Sequence, residues 1–480
     1  MHVLPTKFES ILRTSDLNFG PLILKVDSDL RRFRSIARFN QAQGAGCLAV
    51  LESHPGKGKT TAVYAASVLL RDHFHAVLPV LPQLALPLRE LPKWFAENLP
   101  PASEKVTPVL IDGRESTDDE QGLRDVMAVL NNFVRGRPDL LFVWPTTDPA
   151  WRDHLVATAR NFGSQSFCPD QAVLTIDGPG RDQWVEAVAL ILDQLGASWD
   201  EFGINESTAA QLVDDYPTLG EFFTGINGIR VAQEEFADNV TGLPEVVFVV
   251  SSHSEIVGHV ARLRNPASYR LRTDEVIGSA RMSEPGKFWK SRGSSQSTNL
   301  AWVSSLLQAK LVSLTPSTVA HACALETSSD SRIRQAVIAA GFSGSRSTGL
   351  TAYRTTDLAR FLAGEPVPEV LTKNKGKTSA ATLAAFDAAQ SLSSKKHREI
   401  NEALLKFIAK GTKAFDFADV LLEVPLGDDA IVDAIVPLPE RRLHFEFHHL
   451  SGANCNPNKI ATYMMRKLRV YATQYNLIER

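Results

Sequence analysis

Short apolar runs alternate with helix-compatible stretches through residues 45–180. The strand-like runs are Cys47–Leu51, Ala76–Leu81, Thr107–Asp112, Leu140–Trp144 and Ala172–Ile176, and the helical pattern falls between them at 60–71, 88–98, 119–135 and 150–160. Apolar strands separated by helices predict a parallel sheet covered on both faces, because strands buried on both sides lose the polar alternation of a half-wet sheet. Ser28–Gln43 reads as an arginine-rich helix leading into that sheet. Helices follow at Asp182–Leu195, Glu206–Asp215 and Thr218–Phe236, broken by Gly203 and Pro217. Residues 241–365 give weaker signals: a strand at Val246–Ser251 and helices at Thr315–Cys323, Ser331–Ala340 and Thr355–Ala363. Glu365–Lys377, with two prolines and then alternating lysines, reads as a linker. Beyond it the pattern predicts helices at Thr378–Leu392 and Lys395–Lys410. Strands follow at Ala418–Val424, Ala430–Val436 and Arg442–Leu450, then a basic amphipathic helix, Lys459–Tyr475. The fold class is α/β, in three parts: 1–240, a parallel sheet with a helical lid; 241–370, a mixed α/β region; and 371–480, a second α/β domain.

Length agrees with that count, since 480 residues at about 100–200 per domain make roughly three units. An apolar share of 44% and a charged share of 22% are ordinary for a globular protein, and a net charge of −3 excludes nothing about partners. The four cysteines lie far apart in metal-free spacing and predict reduced thiols in an intracellular compartment. Met1–Asp16 lacks the apolar core of a secretory signal, and no apolar run approaches 18 residues. The expectation is a soluble protein with no membrane partner.

Candidate chemistry is densest at Ser53-His-Pro-Gly-Lys-Gly-Lys-Thr60-Thr61, between the first strand and the first helix of the sheet. A turn of this kind cradles phosphates: Gly56 and Gly58 let the backbone approach closely, and successive N–H groups and the helix N-terminus face the anion. Lys59 reaches the outer phosphates and Thr60 offers a hydroxyl to Mg2+. Ser53 stands where glycine is usual. The alternative is a chance Gly/Lys surface turn. Pro108-Val-Leu-Ile-Asp112 ends a strand in a carboxylate suited to the same metal, although a strand-terminating turn residue would look alike. Gly113 replaces the glutamate expected next to activate water, and Glu115 is a substitute from the loop. Thr146 and Thr147 end a strand as γ-phosphate sensors would, and Arg181 and Arg230 are candidate lid arginines. The predicted ligands are ATP or GTP with Mg2+, held by Ser53, Gly56, Gly58, Lys59, Thr60, Thr61 and Asp112.

Two further stretches point to nucleic acid. Arg262–Arg292 holds eight basic residues against three acids, with Tyr269, Phe288 and Trp289 interleaved. Such a mixture tracks phosphates and stacks bases, or else it is ordinary surface charge. Near the C-terminus, Asp433 precedes Leu443-His444-Phe445-Glu446-Phe447-His448. Alternation puts His444, Glu446 and His448 on one strand face beside Asp433, as it would in any half-buried strand. Asp433 and Glu446 suit a metal-dependent phosphodiesterase, His448 stands third, and Glu402 from the preceding helix completes the set. Lys459, Lys467 and Tyr471 are placed on a backbone-binding side.

The sheet-plus-lid layout resembles AAA+ P-loop ATPases. The last hundred residues resemble the opening of the restriction-endonuclease-like fold, with His448 where that fold has lysine and without a final strand after Arg480. Together, in this order, they resemble the Crinkler effectors of oomycetes and chytrids and the retrotransposon-hot-spot proteins of trypanosomes; bacterial defence ATPase–nucleases share the layout. The resemblance implies an intracellular effector, nuclear if Crinkler-like and otherwise cytoplasmic. NTP turnover would gate cleavage of nucleic acid, DNA foremost, in a chain that forms homo-oligomers. A signalling or scaffold ATPase without nuclease chemistry stays open.

Overall fold

The structure, a computed structural model, describes residues 3–5, 22–80, 88–114, 117, 119–239, 242–252, 255–266, 268–292, 299–367, 378–427, 430–439 and 441–478. The chain divides into two compact units, Met1–Leu195 with Leu212–Gly225, and Gly196–Gln211 with Ile226–Arg480. The expected lid is therefore divided between them. Among the described residues no helix is long and apolar enough to cross a membrane.

The first unit is built on five parallel strands, β1 (Cys47–Glu52), β2 (Leu78–Val80), β3 (Thr107–Ile111), β4 (Leu140–Thr146) and β5 (Val173–Thr175), in the order β2-β3-β4-β1-β5. Alternate side chains of β1 and β4 serve opposite faces. Leu48, Val50, Phe142 and Trp144 pack with the helices Glu120–Val134 and Pro149–Phe167. Cys47, Ala49, Leu51, Leu141 and Val143 pack with Asp27–Gln43 and Lys59–Leu69. Both faces are dry, as the apolar runs required. The cysteines are all free and buried.

The second unit has a mixed sheet: β6 (Glu245–Ser251), β7 (Lys310–Leu314), β8 (Leu421–Pro425), β9 (Ile431–Pro437) and β10 (Arg442–His449), in the order β7-β6-β10-β9-β8. β8, β9 and β10 form an antiparallel meander, whereas β10, β6 and β7 run parallel. Strands from residues 245–314 and 421–449 thus share one sheet. The boundary expected at 370/371 falls inside that unit. The two helices expected at 378–392 and 395–410 are both present within Ala380–Gly411 and meet at a kink at Lys396 (φ −135°, ψ 24°). Ala380–Gly411 covers the face carrying Leu443, Phe445 and Phe447, while Pro457–Gln474 covers the face carrying Glu446.

Arg264 is buried in this unit. Its guanidinium pairs with Asp357 at 2.9 Å and lies 5.3 Å from the Tyr269 ring, and Ser313 Oγ donates to Asp357 at 2.6 Å. A buried cation stripped of its carboxylate cannot be resolvated. Asp357→Ala should therefore cost about 3–5 kcal/mol, read as a lowered urea midpoint. Exposed Arg281→Ala should leave the midpoint within about 0.5 kcal/mol of wild type.

Candidate functional site

In the first unit, Gly56 (φ 76°) and Gly58 (φ 84°) adopt the left-handed backbone that glycine tolerates, and the helix Lys59–Leu69 starts directly from Gly58. Lys59 Nζ donates to the Ser53 carbonyl at 2.8 Å and the His54 carbonyl at 3.4 Å, so the ammonium lies inside the turn. Thr60 Oγ1 donates to Asp112 Oδ2 at 2.7 Å across 52 residues of sequence. Asp112 also accepts from the Gly113 N–H at 2.8 Å. Ser53, in place of glycine, is buried and donates its hydroxyl to the Ile176 carbonyl at 2.9 Å, tying the turn to the end of β5. Thr61 follows in the helix. The expected turn and strand-end carboxylate are thus together. Thr146, expected as a sensor, is buried, and its Oγ1 accepts from the Asp148 N–H at 3.2 Å.

Sequence reading missed the support behind this turn. Asp29 is buried at the foot of the Asp27–Gln43 helix and accepts from the N–H groups of Asp177 and Gly178 at 3.1 Å each. Burial pushes its carboxyl upward, against those two donors. Gly178 (φ 66°) passes so close to the turn that a Cβ would overlap the Lys57 carbonyl oxygen. Arg181 pairs with Asp214 at 3.0 Å and half its side chain is exposed. Arg230 pairs with Glu234 and belongs to the second unit. Glu115 lies outside the described residues.

In the second unit, Phe445 pairs with Ala434, which sets Asp433 beside Glu446 one step along the two strands. Glu446 is fully buried. Its carboxylate accepts from Tyr471 Oη at 2.8 Å and Tyr463 Oη at 3.4 Å and pairs with Lys467 Nζ at 2.6 Å. Burial lifts its pKa to about 7; Lys467 opposes the rise and Asp433 adds to it. Asp433 Oδ2 accepts from the Phe447 N–H at 2.7 Å, and burial raises its carboxyl as well.

Three expectations change here. Lys467 and Tyr471 turn inward onto Glu446 and do not form a backbone-binding surface. His448 stacks on the Tyr463 ring (centroids 4.1 Å apart, planes 2° apart), and burial lowers its pKa to about 4, so Lys467 is the cationic partner of Glu446. Glu402 pairs with Lys406 at 2.6 Å, and among the described residues no hydrogen bond or ion pair joins it to Asp433 or Glu446. The side chains nearer Asp433 are His397, beside the helix break, and Glu423, which pair at 3.1 Å. Lys467 had one sequence signal: Tyr463, Lys467 and Tyr471 recur every four residues, a single helix face.

The basic stretch is also revised. Arg264, Tyr269 and Trp289 are buried, and Arg262 and Arg272 pair with Glu275. Phe288 lies between the guanidinium groups of Arg292 (4.4 Å) and Arg469 (4.0 Å). Arg281, Lys287 and Lys290 are exposed. No family model matches the chain, and no curated protein matches it. Among the described residues no group of three or more His, Cys, Asp or Glu is arranged to hold a metal ion.

Gly178 and Gly44 separate backbone strain from collision. Both have positive φ, near 65°, but a Cβ at Gly44 meets nothing within 4 Å. Gly44→Ala should cost about 1 kcal/mol. Gly178→Ala should cost clearly more, because the phosphate-turn candidate has to move, and urea midpoints of the two variants measure the difference.

Proposed function

We propose that this chain is a P-loop NTPase of the AAA+ type joined to a metal-dependent nuclease, an NTP-dependent effector or defence protein acting on nucleic acid inside the cell. The observation that carries this reading is the 2.7 Å bond between Thr60 and Asp112 at the mouth of a doubly left-handed glycine turn. A hydroxyl and a carboxylate are hard oxygen donors suited to Mg2+, and the helix N-terminus behind Gly58 suits phosphate. Thr60 and Asp112 would hold the Mg2+ of ATP or GTP, which neutralises phosphate charge, while Lys59 lies within reach of the outer phosphates. The all-parallel sheet, with β4 between the turn strand and the Asp112 strand, supports the AAA+ resemblance. Gly113 supports slow turnover.

The nuclease half rests on Asp433, Glu446 and Lys467. Two adjacent carboxylates suit a divalent cation, which would activate water, and Lys467 would steady charge building on the phosphate. The layout supports a Crinkler-like effector, nuclear in that case, acting on DNA foremost and assembling as a homo-oligomer. A second reading, a switch or scaffold ATPase that does not cut, is favoured by one observation: Glu446 is fully buried and saturated by Lys467, Tyr463 and Tyr471.

Lys59→Ala should abolish binding of labelled ATP or GTP; retained binding overturns the nucleotide assignment. With Mg2+ or Mn2+ the wild type should cut DNA or RNA and Glu446→Ala should not. If no metal supports cutting, and nucleotide changes oligomer size instead, the second reading holds.

Acidity gives an independent check. Glu446 must be ionised to hold a cation, and its pKa is raised to about 7. Cleavage should therefore rise roughly tenfold per pH unit below about 7 and level off above it. Lys467→Met removes the charge that restrains this pKa, so whatever activity remains should shift to higher pH.

A further inference from the structure

We infer that the nucleic acid reaching the second unit is double-stranded, gripped by its phosphates along the paired outer faces of two helices. The helix Pro457–Gln474 presents three faces. Ile460, Met464 and Leu468 enter the core; Tyr463, Lys467 and Tyr471 meet Glu446; and Lys459, Arg466 and Arg469 lie outward. The helix Glu284–Ser291 packs beside it, fixed by Trp289 Nε1 donating to the Met465 carbonyl at 2.9 Å and by Arg469 pairing with Glu284 at 2.6 Å. Among the described residues Arg281, Lys287, Lys290, Lys459 and Arg466 form no ion pair, and all five are exposed. Glu284, on the same helix as Lys287 and Lys290, is already paired with Arg469.

The carboxylate pair lies next to this surface, with Glu446 fully buried behind Tyr463. The Arg466 guanidinium lies 5.9 Å from the Tyr463 ring centroid and Lys467 Nζ lies 6.0 Å from the same ring, with Glu446 beyond. A phosphate backbone held by Arg466 is therefore two side chains from Glu446.

The aromatic groups favour a duplex. Single-strand binders pair a cationic groove with open rings on which bases stack. Here Trp289 and Tyr269 are buried, Tyr463 is covered by His448, and Phe288 is taken by two guanidinium groups. What remains is cationic, and it favours the ligand with the denser phosphate charge, the duplex.

The inference rests on the nuclease reading only for where the backbone leads. The test is binding of the full chain, in EDTA, to a fluorescein-labelled DNA duplex of about 20 base pairs, to the same-length single strand, and to the matching RNA duplex, across a salt series. Duplex binding at least about tenfold tighter than single-strand binding is expected, with a steep salt slope. The combined variant Lys287→Glu/Lys290→Glu/Arg466→Glu should lose most of that affinity and flatten the slope by about one unit per lost contact. Exposed Lys93→Glu, in the first unit, serves as a charge control, and unchanged urea midpoints verify folding. Equal or tighter single-strand binding overturns the inference. So does a combined variant that behaves like Lys93→Glu, or displacement of the duplex by poly-glutamate at equal charge. Because no metal is present, duplex binding without any cutting in the metal assay sinks the nuclease reading alone.

Discussion

A carboxylate buried in the middle of a sheet governs the second unit. Glu446 lies on β10, which is bonded to β6 on one side and β9 on the other, so nothing at that position is open to water. An ionised carboxylate there without partners would cost several kcal/mol. The helix Pro457–Gln474 meets that requirement with a tyrosine, a lysine and a second tyrosine at four-residue spacing, and this sets which face of the helix turns inward. The remaining faces follow. Met465 offers its carbonyl to Trp289, Trp289 anchors the Glu284–Ser291 helix, and the cations of both helices are left facing outward. One acid within the sheet thus orients two helices and a basic surface.

The first unit handles a buried acid differently. Asp29 is bonded by two backbone N–H groups of the loop after β5 as well as by Arg32, which also pairs with Asp177. Backbone donors are fixed by the chain path and lose no rotamer freedom, so Asp29 positions a loop where Glu446 positions side chains. That loop carries Gly178, which abuts Lys57, and Ser53 ties the same turn to Ile176. The glycine turn is therefore held from beneath at two points, while His54, Pro55 and Gly56 stay exposed at its tip. A phosphate-binding turn needs this combination of a rigid base and an open rim.

Local periodicity made most of the first unit legible. Each strand of its sheet is a short apolar run, and Gly58-Lys59-Thr60 marks the strand-to-helix turn by residue type alone. Thr60 and Asp112 were each legible as candidate metal ligands, but the hydrogen bond between them had no mark in the sequence. Long-range pairing was less visible. Nothing in Lys310–Leu314 announces that it joins a sheet with residues beyond 420, because register between distant strands leaves no local mark. The faces of β10 were legible from the alternation of Leu443, Phe445 and Phe447 with His444, Glu446 and His448. The partner of Glu446 was not, since Lys467 is one of several cations on a basic helix and its inward turn depends on the burial of a residue 21 positions earlier. For the same reason Tyr269, Trp289 and Arg264 read as surface: composition counts charges and rings but does not tell which side of a helix meets the core.

If the proposed nuclease reading holds, the Lys467–Glu446 pair would couple stability to chemistry. The oxygens that a divalent cation would use are those already bonded to Lys467, Tyr463 and Tyr471, so the cation and the helix compete for one carboxylate. A raised pKa eases that competition on the folding side, because near neutral pH Glu446 can take up a proton when a partner leaves. The neutral acid still accepts the tyrosine hydrogen bonds, which limits the penalty below that of a stranded charge. Asp433 acts in the opposite direction: its own charge is part of what raises Glu446, and a cation between the two would remove that repulsion. A carboxylate pair made unfavourable by burial and by its own mutual repulsion gains more from a divalent ion than an exposed pair does. Lys467, partly exposed, donates at the same time to the Ile431 carbonyl at 3.0 Å, so β9 holds the ammonium from a second side.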